Sequence, residues 1–449
     1  MTTSRRQLLL SASGAAAAAT MGAGLGGWSA PASAQGGPLE ITVRGGEFKP
    51  IPIAIAPFRS ASPGLETLAA DVTEVIAADL ERSGLFRLVN PGPVQSIDVT
   101  PAFDVVRTQG ADAIAVGEAL LDQNGRLAVR FRLWDATTGQ QLEQIQYTSD
   151  PTGWRRISHK VADKIYSTLT GEDPYFDSRI VFVDERGAKN ARRKRLAIMD
   201  SDGANVAYLT DDRDLVLTPR FSPARQQITF ISYAQGAPQI FLLDLASQNQ
   251  QLLGTFPGMT FAPRFSPDGD RVALSLTRGG RTNIYLMDLA SRKTRPPLTR
   301  STGIDTGPSF SPDGRRIVFE SDRGGSQQLY VMDADGLGQT RISFGGGRYG
   351  TPVWSPRGDL IAFTKIAQGR FGIGVMRPDG SEEQILTSSF LDEGPTWSPN
   401  GRVILFFRET GGAQGRPELF TVDVTGRNLR RLSTPAGASD PAWSGLLTA

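Results

Sequence analysis

"GPSFSPDGRRIVFES", residues 307–321, reads as a strand, a tight turn and a second strand, and "APRFSPDGDRVALSL" at 262–276 is a near copy of it. The same Pro-x-Phe/Trp-Ser signature opens "TPRFSPARQQITFIS" (218–232), "TPVWSPRGDLIAFTK" (351–365), "GPTWSPNGRVILFFR" (394–408) and "DPAWSGLLTA" (440–449). The signature serines, Ser222, Ser266, Ser311, Ser355, Ser398 and Ser444, stand 44, 45, 44, 43 and 46 residues apart. A period in the forties with four short strand signals per unit is the mark of propeller blades. In Ser-Pro-Asp-Gly, proline presets φ at the first central turn position, aspartate suits the second, and glycine takes the positive φ that follows. The repeated serines are therefore turn residues, not nucleophiles.

The two ends of the array complete each other. "RIVFVDERG…LAIMDSDGANVAYLT" (179–210) matches "RIVFESDRG…LYVMDADGLGQTRIS" (316–343) but lacks an inner strand, whereas "DPAWSGLLTA" is an inner strand with nothing after it. Together they make one blade, which with five complete units gives six. A blade shared between the two ends closes the ring and removes free strand edges. The basic run "KNARRKR" (189–195) then falls between the second and third strands of that blade. It reads as a solvated hairpin loop, the alternative being contact with anionic lipid or peptidoglycan. "DSDG" (200–203) and "DADG" (333–336) look like calcium loops, but both lack the glutamate that an EF-hand places at its twelfth position, and the first also lacks the glycine at the sixth, so they read as tight hairpins.

The rest of the chain narrows the chemistry. Its 449 residues contain no cysteine and one histidine, His159. Disulfides, thiolate sites and most zinc sites are excluded, and a Ser-His-Asp triad would have to use His159. Residues 1–34 read as a signal peptide: Arg5 and Arg6, a mildly apolar stretch, and Ala-Ser-Ala at 32–34 before the expected cleavage. Ser4-Arg5-Arg6 fits a twin-arginine signal and an ordinary Sec signal alike. Removing that segment leaves lysine plus arginine equal to aspartate plus glutamate at 46 each, with no electrostatic footprint for nucleic acid.

Between signal and ring, "IPIAIAPF" (51–58) reads as a buried strand. In 65–84, Leu65, Leu68, Val72, Val75, Ile76 and Leu80 share one helical face that Gly84 ends. Strands around "LFRLV" and "ADAIAVGEAL", a hairpin turning at Thr138-Gly139, and a helix over 153–171 complete a small α/β domain at 51–172. Residues 173–178 link it to the propeller at 179–449. His159 lies in the last helix with no obvious acidic or nucleophilic partner nearby in sequence, and reads as structural. Residues 35–50 form a flexible arm whose alternating "LEITV" (39–43) is a docked edge strand or a segment that pairs with a partner's sheet.

The export signal, "IPIAIAPF", "IAADLERSGLF", "FRLWD", "KIYSTLTGEDPYFDSRIVFV", "LYVMD", "SSFLDEGPTWSPNG" and the final "PAWS" occur in an order that resembles the TolB family of the Tol-Pal system, over nearly the whole mature chain. The resemblance implies an α/β domain followed by a six-bladed propeller, agreeing with the repeat count. It implies a periplasmic, monomeric adaptor without cofactor or metal. Such a protein binds the peptidoglycan-associated lipoprotein Pal through the propeller and TolA through the amino-terminal arm, supporting outer-membrane integrity and invagination at division. In this chain the arm maps to Leu39, Glu40, Ile41, Thr42 and Val43. The Pal face maps to loops opposite the Ser-Pro-Asp-Gly turns, at Met259, Thr260, Ala262, Asp305, Thr306, Asp392 and Glu393.

Two other function classes find less support in the sequence. Propellers of this repeat type accompany serine peptidases, but no G-x-S-x-G elbow occurs in the chain; a channel-metal lactonase would need several convergent acidic or amide ligands. A glycan-binding module would show flat, aromatic-rich loops, which the sequence does not display.

Overall fold

The computed structural model describes residues 49–449 apart from 93–95, 257–259, 413–414 and 448–449, and for 260–262 it describes the backbone alone. The export segment, the arm residues Leu39 to Val43, and Met259 lie outside the described residues.

Ile51–Ile55 is apolar along its whole length because it lies between two parallel neighbours, Phe86–Val89 and Ala113–Leu121. The sheet continues antiparallel through Leu127–Asp135 and Gln141–Ser149. Three helices cover it: α1 (Glu66–Arg82), α2 (Phe103–Thr108) and α3 (Trp154–Thr170). Val72, Ile76 and Leu80 of α1 and Val161, Ile165 and Leu169 of α3 share one core, while Val106 of α2 packs with Ala54, Ile114 and Val116 on the other face. The sequence reading misses α2, whose six residues are too short to show a helical period.

The segment joining this sheet to the ring is packed, not free. Asp163 of α3 accepts the backbone N–H groups of Tyr175 (2.9 Å), Phe176 (2.7 Å) and Asp177 (2.9 Å). Tyr175 and Phe176 are buried in a core that runs from Val72 and Ile165 into Leu405 and Trp443 of the ring.

The remaining residues form six sheets. Blades one, three, four and five are antiparallel and run inner strand to outer strand in chain order, beginning at Val216–Phe221, Asp305–Phe310, Arg348–Trp354 and Asp392–Trp397. Blade six pairs Gly437–Leu446 beside Ser178–Arg186, with Trp443 opposite Ile180, so the two ends of the array do close the ring. Blade two, beginning at Thr260–Phe265, has three strands. Its expected fourth is reduced to a bridge between Met287 and Thr294, since Pro296 and Pro297 have no N–H for a ladder.

The motif proline has a structural reason. In blade one Leu217 pairs with Ile231 and Arg220 with Thr229, so Thr218 and Pro219 together face Phe230. Such a β-bulge leaves one residue without a ladder bond, and proline, lacking the donor, loses little there. The same register shift recurs in the other five inner strands. The turns follow the expected chemistry: in blade two Gly269 N–H returns to Ser266 O (2.9 Å), and Ser266 Oγ accepts the N–H of Arg271 (3.1 Å).

The Asp-x-Asp-Gly segments are hairpins that also space the blades. In the related "RPDG" turn, Gly380 has φ +87°, and a Cβ there would stand 2.0 Å from the carbonyl oxygen of Ile342 in the preceding blade. The basic run begins in the loop after strand Ser178–Arg186, as expected, but its last three residues open strand Arg193–Asp200, and it is not simply solvated. Arg192 pairs with Glu185 (3.0 Å) and with Glu409 of blade five (2.9 Å), Lys189 also reaches Glu409 (2.9 Å), and Lys194 pairs with Glu185 (2.8 Å). Acids on neighbouring strands turn a loop of like charge into a clasp between blades.

Candidate protein-binding face and central channel

In an antiparallel blade the Ser-Pro-Asp-Gly turns come out on one face, and the loops from outer strand to next inner strand come out on the other. The second face carries the residues expected to meet Pal. Thr260 and Ala262 stand on the inner strand of blade two. Asp305 and Asp392 are fully buried at the start of the inner strands of blades three and five. Asp305 accepts hydrogen bonds from Ser301 Oγ (2.9 Å) and Ser321 Oγ (2.6 Å) and pairs with Arg323 (2.9 Å). Asp392 accepts from Thr387 Oγ1 (2.7 Å), Ser389 Oγ (2.5 Å) and Arg408 Nε (2.6 Å). Each carboxylate pins the loop before it and presents no free oxygen to the surface. Thr306 is likewise buried and donates to Glu320 Oε1 (2.6 Å).

What those loops expose is apolar. Ile304 is 52% exposed, Phe344 71% and Phe390 58%, on the loops entering blades three, four and five. Single exposed hydrophobes are ordinary; these three stand on successive loops of one rim. Sequence reasoning selected the buried anchors and passed over their neighbours, Ile304 and Phe390. The available signal was an apolar side chain inside a polar loop directly before the inner strand.

Inside the ring, Glu393 is partly buried and its carboxyl is pushed up to about 7, first by burial and then by the nearby charges of Asp440 and Glu320. Glu320 is raised as well, by burial, against hydrogen bonds from Thr306 and the Thr351 N–H.

His159 finds its partners only in three dimensions. Its Nδ1 lies 2.6 Å from Asp79 Oδ2 of α1, and Asp202, in a hairpin of the ring, completes a cluster spanning α1, α3 and blade six. Arg82 pairs with Asp79 (2.7 Å) and Arg155 pairs with Asp202. Burial lowers the imidazole's proton affinity, but the charge and hydrogen bond of Asp79, with Asp202, outweigh it, so the net shift is upward. Nε2 is buried without a hydrogen-bond partner among the described residues, so this aspartate–histidine pair reaches no nucleophile. It is a fastening between the α/β part and the ring, as the structural reading of His159 requires. No helix among the described residues is long and apolar enough to cross a membrane.

Two family models match the chain: the TolB amino-terminal domain over residues 39–142 and the TolB beta propeller domain over residues 166–447. The Tol-Pal system protein TolB of Gluconobacter oxydans (strain 621H) is 47% identical over 417 residues, spanning 91% of this chain and 89% of that protein. The crystal structure of TolB from Acinetobacter baumannii superposes with a TM-score of 0.79 at 29% identity, over 88% of this chain and 97% of that one. With an α/β domain fastened to a six-bladed ring, both family models matched and near-complete coverage of such a relative, this chain belongs to the TolB family of the Tol-Pal system.

Proposed function

We propose that the protein is a periplasmic adaptor that acts by binding, not catalysis. It grips Pal with the rim opposite the Ser-Pro-Asp-Gly turns and TolA with arm residues 39–43, and so supports the outer membrane during growth and division. The observation that carries the Pal reading is the set of exposed side chains Ile304, Phe344 and Phe390, held on loops whose own polar groups are satisfied internally. A preorganised apolar rim gives affinity without the cost of ordering loops on contact. Met259, Thr260, Ala262 and Glu393 belong to the same proposed face, with Asp305, Thr306 and Asp392 shaping it from beneath.

Calorimetric titration of purified Pal against mature protein tests this. Buried aromatic anchors in interfaces are each worth roughly 2 kcal/mol or more, so Phe344→Asp with Phe390→Asp should weaken Pal at least about a hundredfold while the melting temperature holds. Deleting 35–43 should abolish TolA binding and spare Pal. Unchanged Pal affinity in the double variant would refute the rim; TolA binding without the arm would refute the arm.

A further inference from the structure

The residue before the repeat aromatic faces the channel. Blades three to six place Ser309, Val353, Thr396 and Ala442 there, but blades one and two place arginines, Arg220 and Arg264. All six positions, with the aromatic that follows each and the turn proline of five blades, line a cavity of about 500 Å³ at the Ser-Pro-Asp-Gly mouth, opposite the apolar rim.

The two cations are not neutralised by the fold. Arg220 Nη1 donates to the carbonyl of Pro219 (2.7 Å), while its Nε is buried without a partner. Neither guanidinium makes an ion pair among the described residues. Burial lowers the proton affinity of both; the charge of Arg220 lowers that of Arg264 further, and Asp440 offsets part of the effect at Arg220 alone. Two partly buried guanidinium groups lining one cavity are costly unless an anion joins them. Their planar forks match the two oxygens of a carboxylate, and Phe, Trp and Pro walls suit the apolar remainder of such a molecule.

We propose that this mouth of the channel binds a carboxylate borne on an apolar body, with Arg220 and Arg264 holding the oxygens and the aromatic ring of the repeat enclosing the rest. A free small acid and the carboxyl terminus of a peptide share that chemistry. Calorimetric titrations of the mature protein with 3-phenylpropionate, and with the peptide Gly-Gly-Leu-Phe, separate the two sources by which binds more tightly. Their counterparts without a carboxylate, 3-phenylpropanamide and the N-acetylated, amidated peptide compared with the N-acetylated acid, should bind at least about tenfold more weakly. Arg220→Gln and Arg264→Gln should each weaken the acid about tenfold without lowering the melting temperature. Arg264→Lys, which keeps charge but not the fork, should fall between. Equal binding of acid and amide, inorganic phosphate binding as tightly as the acids, or an Arg264→Gln variant that binds like wild type would each overturn the proposal. So would Arg264→Gln variants that lose stability together with binding, since that marks a structural arginine.

Discussion

Replacing Trp443 with alanine tests the seam on which the ring depends. Trp443 is 8% exposed and stands opposite Ile180, where the last strand meets the first of blade six. Its indole N–H donates to Ser178 Oγ (2.9 Å), and its ring meets Tyr175 edge-on at 6.1 Å. Truncating a buried tryptophan costs about 3–5 kcal/mol, of which the aromatic pair supplies roughly 1 kcal/mol and the hydrogen bond about another. Ser178 Oγ keeps its own donation to the carbonyl of Tyr175 (2.6 Å), so no buried donor is orphaned and the middle of that range applies. At roughly 2–3 °C per kcal/mol for a domain of this size, a loss of about 4 kcal/mol lowers the melting temperature by about 10 °C. Scanning calorimetry of mature protein reads this directly, with Leu446→Ala as control: it lies on the same strand but is 41% exposed, and should cost under about 1 kcal/mol. If Trp443→Ala melts with wild type, or the control falls as far, the ends of the array do not hold the ring closed.

Two further outcomes follow from close contacts. His159 has a folded-state pKa raised above its unfolded value, so its contribution is fully present below about pH 6.5 and fades as pH rises through the folded value. Wild type should therefore lose melting temperature relative to His159→Gln as pH rises above about 6.5, and parallel profiles for the two would dismiss the charged fastening. Gly380→Ala forces a left-handed residue against the carbonyl of Ile342 and should cost about 2–4 kcal/mol by denaturant titration; a change within about 0.5 kcal/mol would show that blades three and four have room between them.

The exposed face shows where sequence reasoning stops. Asp305 and Asp392 were selectable because each stands at the same point of a repeat, and a repeat makes position legible. Whether a side chain at that point faces water or turns inward depends on Ser321, Arg323 and Arg408, which reach it from the neighbouring strand. The apolar side chains that do face outward sit in loops without periodicity, where no pattern signals exposure.

Blade count and turn chemistry were determined by sequence alone, because each repeat is a local unit whose strands and turns are set by neighbours within a few tens of residues, and the pairing of the array's distant ends was legible because each carries the part of the repeat that the other lacks. The meeting of His159 with Asp79 and Asp202, the bracing of the basic loop by Glu409, and the two channel arginines without an ion pair among the described residues were decided only by tertiary structure. Each joins residues from separate elements, brought together by packing, and the charge of a side chain acquires its consequence only once its surroundings are known.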